Sequence, residues 1–157
     1  MVDGRVLDDN ASIMVEFDSG AKGLYWCSQI AVGNDNGLKI RIFGSKASIE
    51  WAQENPNYLK ISYLDQPSQI ISRGRDGLYP GAECFSRVPS GHPEGYFEAF
   101  ANIYKPFITF LMKQKQGQTT LPEDQDFPTA EQGENGVRFI EKCVESSKNN
   151  SAWVDLD

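Results

Sequence analysis

Leu38-Lys39-Ile40-Arg41-Ile42-Phe43-Gly44-Ser45-Lys46-Ala47-Ser48-Ile49-Glu50-Trp51 alternates apolar and charged residues, pauses at a glycine-serine pair and resumes in β-favouring residues. That is the pattern of a β-hairpin. Leu38, Ile40 and Ile42 share one face, Lys39 and Arg41 the other, and Gly44-Ser45 suits a tight type II′ turn into a strand from Ser48 to Trp51. Towards the N-terminus, Ser12 to Phe17 alternates in the same way, with Ile13, Val15 and Phe17 on one face. Asp18-Ser19-Gly20 then turns the chain into a strand over Lys22 to Ala31. Towards the C-terminus, Asn55-Pro56-Asn57 breaks the chain before a strand over Tyr58 to Leu64, and a weaker strand follows over Gln69 to Arg73. Short turns join these strands, so they are expected to form an open, largely antiparallel sheet of about six or more strands.

Two longer segments carry a helical period. Pro93 stands where a first helical residue belongs and Glu94 suits the positive helix start. Phe97, Phe100, Ala101, Tyr104, Phe107, Ile108 and Leu111 mark an apolar stripe that ends at Gly117. Pro106 lies inside that stripe and is expected to kink the helix or split it near Tyr104. A second helix opens on a capping box, Thr129 with Gln132, and places Gly133, Val137, Ile140 and Val144 on one side. Ala152 to Leu156 reads as a late strand closing the sheet. Arg75 to Gly91 is rich in Gly, Pro and Ser, has neither period, and reads as a long loop of the kind that often carries function.

Strands followed by helices indicate the α+β class. The faces opposite Ile13, Trp26 and Ile40 still carry Met14, Tyr25, Cys27 and Phe43, so both faces of the sheet call for cover. Helices are expected on one face, and a second copy of the sheet is the simplest cover for the other, giving a homodimer.

The 157 residues, with 39% apolar and 11% aromatic content, are enough for a single domain over 1–157. A net charge of −7, with Lys and Arg scattered along the chain, argues against nucleic acid and anionic membranes as partners. The first residues are too polar for a signal peptide, and no apolar run approaches the roughly 20 residues of a membrane helix. Cys27, Cys84 and Cys143 are odd in number and far apart, which argues against disulfides and a zinc ribbon and favours a cytoplasmic setting with buried, idle thiols.

No stretch fits a glycine-rich dinucleotide turn or a phosphate loop, so no cofactor is expected in this chain. His92 is the only histidine, which excludes a multi-histidine metal site. Arg87-Val88-Pro89-Ser90-Gly91-His92-Pro93-Glu94-Gly95-Tyr96 nevertheless gathers a guanidinium, an imidazole, a carboxylate and a phenol at a helix mouth. Each is able to hydrogen-bond a hydroxyl-rich ligand. Alternatively, His92 caps the helix, Glu94 answers its dipole and Arg87 pairs with a carboxylate. Tyr25, Trp26 and Trp51 are able to form a carbohydrate-stacking platform, but at strand spacing they read first as sheet core or interface, and Glu123-Asp124-Gln125-Asp126 reads as a solvated loop.

The chain resembles the C-terminal domains of Gfo/Idh/MocA oxidoreductases, the family of sugar and inositol dehydrogenases. The likeness rests on Glu16-Phe17-Asp18-Ser19-Gly20, the 38–51 hairpin, Gln53-Glu54-Asn55-Pro56-Asn57 and Gly91-His92-Pro93-Glu94-Gly95-Tyr96-Phe97-Glu98-Ala99-Phe100. Phe127-Pro128-Thr129-Ala130-Glu131-Gln132-Gly133 and Gly136-Val137-Arg138-Phe139-Ile140-Glu141 extend it over nearly the whole chain. The resemblance implies an N-terminal Rossmann domain, holding NAD or NADP, as partner of this domain. It also implies a sugar or polyol substrate oxidised at a CH-OH group, and subunit contact through the sheet. The family's catalytic lysine, acid and histidine match nothing here, so the isolated chain is expected to be inactive and no catalytic residue is assigned. Arg87, His92 and Tyr96 are the candidate substrate contacts. A stand-alone carbohydrate-binding or assembly module is the alternative.

Overall fold

The computed structural model describes residues 4–156. The chain divides into two compact units, one formed by residues up to 35 together with those from 129 onwards, the other by residues 36–128. The six strands foreseen ahead of the two long helices are present, but they form a two-stranded sheet and a four-stranded sheet instead of one sheet.

In the first unit, β1 (Asn10–Glu16) pairs antiparallel with β2 (Lys22–Ser28), with Ile13 opposite Tyr25 and Val15 opposite Gly23. Asp18, Ser19 and Gly20 make the turn, closed by hydrogen bonds from the Gly20 N–H to the Phe17 carbonyl and from the Phe17 N–H to the Ala21 carbonyl. Ala11, Ile13 and Val15 are half-buried while Ser12, Met14 and Glu16 are exposed, the period-2 signature of a strand covered on one side. The Tyr25 ring, still exposed, is met edge-on at 5.9 Å by Phe139 of α3 (Ala130–Lys148). The capping box is formed as expected. Thr129 Oγ1 accepts from the Gln132 N–H at 3.2 Å and Gln132 Oε1 accepts from the Thr129 N–H at 2.9 Å.

The helical face anticipated from Val137 and Ile140 is not the covered one, since those two are 58% and 63% exposed. Phe139 and Cys143, one turn apart, mark the half-buried side instead. Nor do residues 152–156 form a strand. Asn150 and Ser151 adopt left-handed conformations after α3, and the chain continues irregularly, with the Ser146 hydroxyl bonded to the Ala152 carbonyl at 2.7 Å.

In the second unit the strands follow one another as an antiparallel meander of β3 (Lys39–Phe43), β4 (Ala47–Ala52), β5 (Tyr58–Tyr63) and β6 (Gln69–Ser72). The register sets Ile42 opposite Ile49 and Ile49 opposite Ile61, so one face is an apolar ladder that also takes in Ile40 and Trp51. The other face carries the row Arg41, Glu50, Lys60, in which each charge lies opposite one of the other sign. The charged face still carries Phe43 beside Arg41 and Ile70 opposite Lys60, so apolar residues stand on both faces, as the sequence indicates. The β3–β4 turn is not type II′. Its centre lies at Ser45-Lys46, Gly44 has a negative φ, and the Gly44 N–H bonds the Ala47 carbonyl at 2.9 Å.

The segment read as a long loop contains one short helix, α1 (Pro80–Glu83). The next helix, α2 (Tyr96–Lys115), begins three residues after Pro93 and runs through Pro106 without a break. At its far end, Lys113 pairs with Asp124 and the Phe127 ring packs on Phe107 and Phe110 at 5.3 and 5.4 Å.

No apolar side chain among the described residues is fully buried, and Ile40, Ile42, Leu24 and Trp26 are all more than half exposed. Cys27 and Cys84 are exposed and Cys143 half-buried, so the expectation of buried thiols fails for two of the three. Among the described residues no helix is long and apolar enough to cross a membrane.

Candidate functional site

The turn at Asn55-Pro56-Asn57 is fixed from the sheet. The Trp51 indole N–H donates to the Pro56 carbonyl at 3.0 Å, and β5 starts immediately afterwards. Asn57 and Arg73 extend the β5–β6 ladder, the Arg73 N–H bonding the Asn57 carbonyl at 2.9 Å. Their side chains meet as well, with Arg73 Nε donating to Asn57 Oδ1 at 2.9 Å. The same oxygen accepts the Glu94 N–H at 3.1 Å, which ties the start of α2 to the sheet edge.

Glu94 is among the most buried residues described, at 7% exposure. Its carboxylate caps no N–H of α2; it accepts the Arg87 N–H at 2.8 and 3.0 Å and pairs with the Arg73 guanidinium. The expectation that Glu94 serves the helix start is therefore corrected. The helix is capped by Glu98, whose Oε2 accepts the Gly95 N–H at 2.9 Å. That bond, then the Glu98 N–H, and more weakly the charges of Arg87 and Arg73, hold the Glu98 carboxyl below its ordinary value.

Arg73 also donates to the carbonyls of Val88, at 2.9 Å, and His92. Its guanidinium fork thus grips the 88–92 segment near both ends while pairing with Glu94. Gly74, at φ +69°, allows this approach, because a Cβ there would lie 2.9 Å from the Ser90 nitrogen.

These contacts leave a cleft of about 710 Å³ between the 54–58 turn, the end of β6 and the 90–98 segment. Of the three candidate contacts, His92 and Tyr96 line it and Arg87 does not. Arg87 pairs with Glu94 at 3.8 Å and reaches Asn102 and the Glu98 carbonyl on α2, so the carboxylate pairing foreseen for it is present. The His92 ring does not cap the helix. Its imidazole and the Tyr96 hydroxyl have no hydrogen-bond partner among the described residues. The Tyr96 ring is braced edge-on by Phe97 and Phe100 at 5.9 and 5.0 Å.

Sequence reasoning missed Arg73, Arg75 and Asn57. Arg75 lines the same cleft and likewise has no hydrogen bond or ion pair among the described residues. The available signal was position, since Asn57 and Arg73 flank the paired strands β5 and β6 at the end where the long loop departs. Among the described residues no group of three or more His, Cys, Asp or Glu side chains is placed to hold a metal.

Comparison with known proteins agrees with this architecture. The model of the oxidoreductase family, C-terminal alpha/beta domain, matches residues 2–156. The uncharacterised oxidoreductase YfiI of Bacillus subtilis is 36% identical over 150 residues, covering 96% of this chain and 38% of its own length. An oxidoreductase from Sinorhizobium meliloti superposes with a TM-score of 0.88 at 42% identity, covering 98% of this chain and 43% of that one. An inositol dehydrogenase homologue from Azotobacter vinelandii, solved with NADH and myo-inositol, gives 0.90 at 41% identity, covering 96% and 40%. The chain spans about two fifths of the length of these relatives, and it belongs to the Gfo/Idh/MocA oxidoreductase family as its C-terminal α/β domain.

Proposed function

We propose that this chain is the substrate-binding and assembly domain of an NAD(P)-dependent oxidoreductase acting on the CH-OH group of a sugar or polyol. The observation that carries this reading is the cleft itself. His92 and Tyr96 from the 90–98 segment and Arg75 from beyond β6 bring an imidazole, a phenol and a guanidinium to its lining, with no hydrogen bond or ion pair to these groups among the described residues. Such groups recognise vicinal hydroxyls through hydrogen bonds. The Azotobacter relative with bound myo-inositol supports a polyol as the ligand class.

In the complete enzyme, a hydride would pass from the carbinol carbon to nicotinamide C4 while a base takes the hydroxyl proton. Among the described residues there is no glycine-rich strand-to-helix cradle, and none is assigned to the nicotinamide or to that base. Its contribution is orientation. Holding the polyol through His92 and Tyr96 fixes which carbon faces the cofactor. The chain by itself is then inactive, with NAD or NADP held by the Rossmann domain as partner. Three thiols without a disulfide fit a cytoplasmic enzyme.

Assembly follows from the uncovered apolar faces. Ile40 and Ile42 are 51% and 53% exposed on the ladder face of β3–β6, a surface suited to a second copy in a homodimer. In the intact enzyme, His92→Ala and Tyr96→Phe should each raise KM for the polyol by about tenfold, the loss of roughly one hydrogen bond to a buried ligand, with NAD(P) affinity unchanged. An unchanged KM in both variants would remove the cleft from substrate binding.

A further inference from the structure

We propose that Arg73 is the positioning residue of this cleft, the single side chain that sets the shape of the 87–96 segment and thereby aims His92 and Tyr96. The inference rests on the substrate reading above for its purpose, but its structural content stands alone. Arg73 also lines the cleft, but four of its five N–H donors are engaged within the protein. Its Nε is taken by Asn57, and its two terminal nitrogens by Glu94 and by the carbonyls of Val88 and His92. Only 16% of the side chain is exposed, and its carboxylate partner is at 4%.

The geometry explains why one residue suffices. Residues 87–93 contain no helix or strand, so their conformation is not held by a ladder of backbone bonds. Within them the His92 N–H bonds the Pro89 carbonyl at 3.1 Å, a local turn that fixes neither end against the sheet. The Arg73 fork supplies that anchor at Val88 and at His92, while Glu94 joins the same guanidinium to the Arg87 N–H. Both ends of the segment and the residue before the Gly95 cap therefore converge on one planar cation. Lysine keeps the charge but not the fork, so it can satisfy Glu94 without holding both carbonyls.

The test uses the 157-residue chain with Arg73→Met, Arg73→Lys and the milder Asn57→Ala, read by amide hydrogen exchange and by the ring resonances of His92 and Tyr96. Arg73→Met should speed exchange across residues 87–95 by about tenfold or more and shift both rings, while β3–β6 and the body of α2 keep their protection. Arg73→Lys should recover only part of that protection. If Arg73→Met unfolds the chain, Asn57→Ala, which frees Arg73 Nε and the Glu94 N–H, should loosen the same residues to a smaller degree. Exchange and ring shifts unchanged in the folded variants would overturn the proposal. Myo-inositol, titrated into the wild-type chain, separates the two ideas. A segment that loosens in the Arg73 variants, with no cleft resonance responding to the polyol, keeps the positioning role and counts against the substrate reading.

Discussion

Arg73, one residue beyond β6, forms an ion pair with the buried carboxylate of Glu94, which stands just before α2, and this pair joins the sheet edge to the helix start. A pair this sheltered gains little net stability from charge attraction, because both ions gave up water. Removing one partner is costly, since the other stays buried and uncompensated. Glu94→Gln should lower stability by about 3 kcal/mol, the lower end of the range for buried pairs because Arg73 keeps some solvent contact. Urea unfolding with an unchanged slope measures it. A loss below about 1 kcal/mol would make the pair incidental.

A second prediction concerns the β1–β2 hairpin. A Cβ on Gly23 would lie 2.8 Å from the Cγ2 atom of Val15, directly across the ladder. Valine is stiff at χ1 and cannot easily turn away. Gly23→Ala should therefore destabilise the hairpin by about 1–3 kcal/mol, and Gly23→Ala combined with Val15→Ala should recover most of the loss. Thermal unfolding of the single and double variants decides the point.

How far the sequence reaches is clear from residues such as these. Period-2 alternation located every strand to within about three residues, and the Thr129–Gln132 box marked the start of α3, because both signals are local. Which strands share a sheet is a non-local matter, and alternation carries no record of it. The start of α2 was misplaced for a definite reason. Pro93 and Glu94 look like a first helical turn, yet Glu94 is claimed by Arg73 and Arg87, and Glu98 performs the capping. The same tertiary claim hid Arg73 and Asn57, whose partners lie far along the chain. His92 and Tyr96 were legible because their residue types stand out in the segment that does line the cleft.

Acid stability supplies a third prediction. Glu98 sits below its ordinary 4.5 chiefly through the Gly95 N–H, and Asp124 below its ordinary 3.8 chiefly through the Leu121 N–H and then Lys113. A carboxyl depressed in the folded state binds fewer protons there than when unfolded. Its stabilisation is full above the ordinary value and fades as pH falls through the depressed one. Stability should therefore decline below about pH 4.5. Glu98→Gln should weaken the acid dependence of exchange at the first turn of α2, because glutamine accepts the Gly95 N–H at any pH. An acid limb identical in wild type and Glu98→Gln would contradict this.

The thiols should differ in reactivity. Burial first, and then the neighbouring Cys27, push the Cys143 thiol above its ordinary 9.0, so little of it is thiolate at neutral pH. Cys27 and Cys84 are exposed. Limited alkylation followed by peptide mapping should label Cys27 and Cys84 well before Cys143, and a leading Cys143 signal would refute the placement of its side chain.

The most direct test of the central claim joins this chain to the part of the Azotobacter vinelandii inositol dehydrogenase homologue that it does not cover, and follows NADH formation with myo-inositol and a panel of sugars. The relatives are about two and a half times as long as this chain, which covers 40% of the Azotobacter protein. The account predicts NADH from at least one polyol or sugar in the hybrid and none from the chain alone, with His92→Ala raising KM. A folded, NAD-binding hybrid that turns over nothing in the panel, or an isolated chain that forms NADH, would contradict it.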